Sequence, residues 1–167
     1  ACCNLSESFE TNAAIDASFT DAVTGTRQIE LLGLAGKYSQ IQLEMTPFVR
    51  GIQANYGLTH IPGFWITSMQ LSKGAGSVAN GFESMTGAIN VELAKPDFDS
   101  KLALNVYANA SGRYEFNAIS AFPVNEKWST ALLLHGNMRT QKNDRNDDGF
   151  LDMPLSSSIN FLNRWKY

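Results

Sequence analysis

The stretch Leu102-Ala103-Leu104-Asn105-Val106-Tyr107-Ala108 alternates without a break. Successive side chains of an extended chain point to opposite sides, so Leu102, Leu104, Val106 and Ala108 share one face and Ala103, Asn105, Tyr107 and Asn109 the other. The rhythm returns downstream. Tyr114, Phe116, Ala118 and Ser120 stand against Arg113, Glu115, Asn117 and Ile119. Trp128, Thr130, Leu132, Leu134, Gly136 and Met138 stand against Ser129, Ala131, Leu133, His135, Asn137 and Arg139. A last segment, Ser156 to Tyr167, ends in Phe161-Leu162-Asn163-Arg164-Trp165-Lys166-Tyr167. These are four strands of about 9–13 residues, the length that crosses a bilayer at a tilt. One face is apolar and the other small or polar, and Trp128, Trp165 and Tyr167 fall at strand ends, where an interfacial aromatic girdle would place them. Asn109 to Gly112 and Pro123 to Glu126 read as tight turns, Gln141 to Pro154 as a long acidic loop. Two readings stay open at this point: a soluble four-stranded meander packed on the first half, or one sector of a membrane β-barrel. Four strands cannot close such a barrel, and an open edge in lipid would strand backbone N–H and C=O groups. The membrane reading therefore requires further strands from missing sequence or from another chain.

The whole chain has 167 residues, 44% of them hydrophobic and 17% charged, so it can bury a core. A net charge of −3 with no basic stripe argues against a nucleic-acid partner. No run of 18 apolar residues suggests a transmembrane helix. The chain opens at Ala1 without a signal-peptide pattern and reads as a processed or truncated piece. Before Pro96 the segments are short and broken by glycines, as in a loop-rich α+β domain with brief strands and one or two short helices. Strands are expected over Gln28–Leu32, Gln40–Met45, Met69–Ser72 and Ala88–Leu93, and a helix start at Ser6-Glu7-Ser8-Phe9. The expected domains are 1–96 and 97–167.

Few residues suggest chemistry. Cys2 and Cys3 offer two thiolates to a soft metal such as copper or zinc, or pair with cysteines elsewhere; a disulfide between neighbours would be strained. Asp144, Asn146, Asp148, Gly149 and Asp152 fit the first part of a D-x-N-x-D-G calcium loop, but position twelve is Leu155 instead of glutamate; the alternative is a solvated acidic loop. Lys73-Gly74-Ala75-Gly76-Ser77 lacks the Gly-Lys-Ser/Thr ending of a phosphate loop. No Ser-His-Asp spacing or paired carboxylates point to catalysis, and the chain is not expected to be an enzyme.

The segment from Met69 to Val91 is the most informative of the first half. Lys73, Gly74, Ser77, Gly81, Gly87, Ile89 and Asn90 resemble, at their spacing, the closing motif of the plug domain of TonB-dependent outer-membrane receptors. Thr24 to Leu34 and Tyr38 to Pro47 resemble the family's earlier plug strands, and Ile61-Pro62 precedes Met69 where the family often carries a proline. The resemblance covers about Leu5 to Pro96 and implies that the four following strands begin a barrel of 22. It decides the second half in favour of the membrane. Leu32-Gly33 stands where the family has Arg-Gly, Glu44-Met45 for Asp-Gly, Ala75 for the proline and Thr86 for the first glycine of a pair. These departures point to a divergent branch, of the kind common in Bacteroidetes.

The resemblance further implies a fold of α+β plug followed by antiparallel transmembrane strands, in the outer membrane of a Gram-negative cell. It implies import of a scarce ligand, with metal chelate, siderophore, haem, oligosaccharide and peptide all open; the vicinal cysteines favour a metal or metal chelate. Implied partners are outer-membrane lipid, a TonB-type energy-coupling protein whose docking box would precede Ala1, the rest of the barrel, and a surface lipoprotein. Ligand contacts are implied from the apical loop Phe48–Phe64, through Arg50, Tyr56, His60, Phe64 and Trp65, although these side chains would equally serve to anchor that loop. His60 is otherwise a hydrogen-bonded turn residue, and His135 is expected to face the barrel lumen. The alternatives are a plug-containing scaffold or gate subunit of an outer-membrane complex, and a soluble carbohydrate-binding β-module.

Overall fold

A computed structural model describes residues 15–21, 26–50, 57–78, 83–97 and 100–167. The chain divides into two compact units, Ala1–Leu93 and Ala94–Tyr167, so that Ala94–Pro96 joins the second unit instead of the first.

The first unit is built on two sheets. Strands β1 (Ile15–Asp21) and β2 (Thr26–Leu31) form an antiparallel hairpin. Strands β3 (Ser39–Leu43), β4 (Thr46–Val49), β5 (Ile66–Lys73) and β6 (Gly87–Leu93) form a mixed sheet in the order β4-β3-β6-β5. At its centre β3 runs parallel to β6, a pairing that needs the long crossover between them. Ile41, Ile89 and Val91 line one face of this sheet, and with Ile15, Ile29, Leu31, Ile61, Trp65, Ala88 and Leu93 they are the buried apolar residues among those described in the unit. β1 and β4 are strands that the sequence pattern does not announce. Of the one or two short helices expected, the described residues show only 3-10 turns, at Gly36–Tyr38, Gly57–His60 and Gly63–Trp65. With glycines and Pro62 in these segments, helix propensity is too low to extend a turn. The helix start at Ser6 lies outside the described residues.

The second unit is one antiparallel meander, β7 (Leu102–Ala108), β8 (Arg113–Pro123), β9 (Ser129–Arg139) and β10 (Ser156–Lys166), in the order β10-β9-β8-β7. Its register is continuous over each pair, with Phe116 between Val106 and Gly136, and Gly136 opposite Ile159. The predicted faces are the observed ones, because a single slip would turn every side chain over. Among the described residues no helix is long and apolar enough to cross a membrane.

Candidate functional site

The closing motif of the first unit is a connection between β5 and β6 pinned by backbone bonds. Gly74 N–H donates to Thr86 O at 2.8 Å, and Gly76 N–H to Ser84 O at 2.7 Å. Gly74 needs its positive φ of 91° to turn out of β5. At Gly87, φ is +149° and a Cβ would collide with the Ser72 carbonyl oxygen and crowd Leu31, so only glycine fits. Ile89 is fully buried, while Asn90 Oδ1 accepts from Met45 N–H at 2.8 Å, tying β6 to the β3–β4 turn. Lys73 and Ser77 are exposed, and Gly81 lies outside the described residues. Thr86, in the place of a glycine, shares a 2.8 Å hydrogen bond with Ser39 and donates to Tyr38 O at 3.1 Å.

The second face of the mixed sheet is polar yet buried. Gln40, Gln42 and Asn90 are each nearly inaccessible. Gln42 Nε2 donates to Gln40 Oε1 at 2.8 Å, and Gln70 Nε2 to Glu92 Oε1 at 3.3 Å. A buried amide must keep its hydrogen bonds, so such a face is specific without being strongly cohesive.

The expected ligand loop is not one cluster. β4 and β5 run in the same direction through the sheet, so Arg50, just after β4, and Trp65, just before β5, lie at opposite ends of it. Arg50 pairs with Glu83 at 2.7 Å and bridges two loops at its end. His60 is exposed and Phe64 half-buried, but Trp65 is only 4% exposed, with no partner for its indole N–H among the described residues. Trp65 therefore belongs to the core, not to an open binding surface. Tyr56, Cys2 and Cys3 lie outside the described residues.

The four-stranded wall has two contrasting faces. Leu102, Leu104, Val106, Phe116, Phe122, Leu132, Met138, Ile159 and Phe161 are all exposed on one side, Val106 to 73% and Ile159 to 82%. Trp128 packs edge-on to Trp165 with ring centroids 6.3 Å apart and against Tyr167 at 4.9 Å, at one end of the strands. On the other side Glu115, Asn117 and His135 are buried. There a polar ladder crosses the whole sheet. Asn117 Nδ2 donates to Asn105 Oδ1 at 3.3 Å, Asn117 Oδ1 meets His135 Nδ1 at 2.7 Å, and Asn137 Nδ2 reaches His135 Nε2 at 3.2 Å and Ser158 Oγ at 2.8 Å. Arg113 pairs with Glu115 at 2.6 Å beside it. Polar residues at every second position signal this face in the sequence, but the joining of Asn105, Asn117, His135 and Ser158 depends on cross-strand register.

The loop after β9 folds on itself. Asp144 accepts from the N–H of Asp148 at 3.3 Å and of Gly149 at 2.9 Å, Asn146 Nδ2 donates to Asp148 at 2.8 Å, and Arg145 approaches Asp152 at 4.0 Å. Among the described residues no three His, Cys, Asp or Glu side chains are gathered as a metal would require, so Asp144, Asp148 and Asp152 are not brought together as calcium ligands.

No protein-family model and no curated protein matches the sequence. Solved structures do match the fold. The FrpB iron transporter from Neisseria meningitidis aligns over 99% of this chain and 27% of its own length, at 14% identity and a TM-score of 0.74. The ferric enterobactin receptor PfeA from Pseudomonas aeruginosa aligns over 87% and 24%, at 15% identity and a TM-score of 0.56. The copper transporter OprC aligns over 86% and 22%, at 15% identity and a TM-score of 0.61. The chain thus spans about a quarter of the length of the structures it resembles.

Proposed function

We propose that the chain, which has the fold of its structural neighbours, the TonB-dependent receptors, is the plug and the first four wall strands of an outer-membrane receptor that imports a scarce extracellular ligand, a metal or metal chelate, on energy delivered by a TonB-type partner. The observation that carries this reading is the exposed face of β7–β10. Nine large apolar side chains in an unbroken register suit hydrocarbon and would be a liability in water. The opposite face, with its ladder from Asn105 to Ser158, suits a polar lumen. The polar buried face of the mixed sheet suits a plug, because an element that must rearrange is better held by many bonds of about 1 kcal/mol each than by a hydrophobic core. Iron, ferric siderophore and copper are what the neighbours' names carry, which favours a metal cargo.

The test uses the full-length protein in a Gram-negative host. Uptake of radiolabelled ferric siderophore or copper should depend on the protein and stop when the proton gradient is collapsed. Uptake that survives the collapse would remove the energised-import reading. A protein that fractionates away from the outer membrane would remove the wall reading as well.

A further inference from the structure

A buried histidine sits in the middle of the polar ladder, and its partners allow it one neutral form. Asn105, Asn117 and His135 stand level across β7, β8 and β9, and Asn160 of β10 lies opposite His135. Asn117 Nδ2 donates to Asn105, which turns its Oδ1 towards the ring at 2.7 Å from Nδ1. That oxygen can only accept, so Nδ1 carries a proton. Asn137 Nδ2 stands 3.2 Å from Nε2 and can only donate, so Nε2 carries a lone pair. Two neighbours, one on β8 and one on β9, thus select the same Nδ1–H tautomer. Among the described residues of this unit, the titratable and charged groups on the same face are Lys101 and Tyr107 at the two ends of β7, Arg113 and Glu115 on β8, Arg139 on β9, and Arg164 and Lys166 on β10. Glu115 and Arg113, paired with each other at 2.6 Å, are the charges that act on His135.

We propose that this ladder is a proton-operated relay from His135 to Ser158. When the Nε2 lone pair takes a proton from acidified lumenal water, the ring becomes an imidazolium and two donors meet, Nε2–H and the Asn137 amide. A half-turn of the Asn137 carboxamide removes the conflict, because its Oδ1 then accepts from Nε2–H. That turn leaves no other bond behind, since Asn137 Oδ1 has no hydrogen bond among the described residues. Ser158 Oγ, which accepts from Asn137 Nδ2 at 2.8 Å, then donates its own hydrogen to Oδ1. In the neutral state the Ser158 hydroxyl hydrogen is available to an acceptor in the lumen, and in the protonated state the ladder takes it. Only an amide and a hydroxyl rotate, and Asn117 keeps its bond from Nδ1–H throughout. The relay rests on the reading of this face as lumenal and is independent of import.

Nitrogen NMR across a pH series tests this on the full-length protein in lipid nanodiscs, with isotope-labelled histidine and asparagine. The signals are assigned by their loss in His135→Gln and Asn137→Leu. At the basic end His135 should show a protonated Nδ1 and an unprotonated Nε2. On acidification Nε2 should become protonated, and the Asn137 side-chain nitrogen should shift with the same midpoint. In Asn137→Asp, whose carboxylate can only accept, Nε2 should be protonated already at the basic end; if that variant does not fold, the wild-type series decides alone. An Nε2–H tautomer at the basic end overturns the relay. So does an Asn137 nitrogen that ignores the titration of His135, or a His135 that stays neutral wherever the protein remains folded. Uptake measured separately in cells tells the two readings apart: a protein in which the relay operates but which imports nothing keeps the ladder's role and loses the transport function.

Discussion

Glu44 and Met45 turn the chain between β3 and β4 with φ of 52° and 64°. Two positive φ angles in a row are what a tight hairpin asks for, and Asn-Gly or Asp-Gly usually supplies them. Here the conformation is held from outside: Asn90 Oδ1 accepts the Met45 N–H, and Glu44 Oε1 accepts the Leu93 N–H at 3.0 Å. Met45→Gly removes the steric cost at the second position and leaves the backbone donor in place. It should stabilise the hairpin by about 0.5–1 kcal/mol, seen as a several-fold slowing of hydrogen exchange at the β3–β4 amides of the full-length protein. Two other glycines give opposite expectations. Gly87→Ala drives a methyl into the Ser72 carbonyl and should abolish folded protein, whereas at Gly136 an added Cβ meets nothing within 4 Å. Gly136→Ala should leave the folded yield unchanged or raise it. Comparable yields of the two alanine variants would contradict the packing around Gly87.

At the level of the strand, the two faces of the wall predict opposite tolerance. Val106→Arg or Ile159→Arg places a charge on the exposed apolar face, at a cost of about 2–4 kcal/mol near a bilayer midplane, and should sharply lower the amount of folded protein in the outer membrane. Lys142→Glu, in the loop beyond β9, should not. The wall was legible in the sequence because period-two alternation survives over four strands and each register follows from it. The mixed sheet was only half legible. β3, β5 and β6 carry apolar residues in imperfect alternation, but β1 and β4 show no such pattern, and Pro47 within β4 argues against a strand unless it lies at an edge, where β4 is. Sequence order also suggested that Arg50 and Trp65 belong to one loop surface, and the common direction of β4 and β5 separates them. The ion pair between Lys166 Nζ and Asp97 Oδ2, at 2.8 Å, adds a prediction in pH. The hydrogen bond from Lys166, followed by the bond from its own backbone, holds the Asp97 carboxyl below its ordinary value of 3.8. A carboxylate with a depressed folded pKa contributes its bond above the unfolded value and loses it as pH falls through the folded one. The Asp97–Lys166 attachment should therefore outlast the ordinary carboxylate titration on acidification. The Asp97 carboxyl resonance should titrate below 3.8, and Lys166→Met should move its midpoint back up.

Taken whole, the molecule has two sheet borders in its wall, β7 and β10, whose outer edges have no strand partner among the described residues. In water such edges invite association, and in hydrocarbon each unpaired N–H or C=O costs several kcal/mol. The exposed apolar face removes water as a comfortable medium, and the open borders remove lipid. A wall with these two properties is stable only when further strands close it, and the structures of this fold are about four times as long as this chain. On the proposed reading, the strands that close the barrel would decide stability, more than anything inside the 167 residues. Full-length protein should run on unheated detergent gels as a compact, fast-migrating species that converts on boiling, the behaviour of a closed barrel. Residues 1–167 alone should show no such conversion and should aggregate when detergent is withdrawn. A monomeric, detergent-free solution of the 167-residue chain with intact near-ultraviolet ellipticity from Trp128 and Trp165 would mean that the apolar face has found cover of its own, and the membrane wall would have to be abandoned.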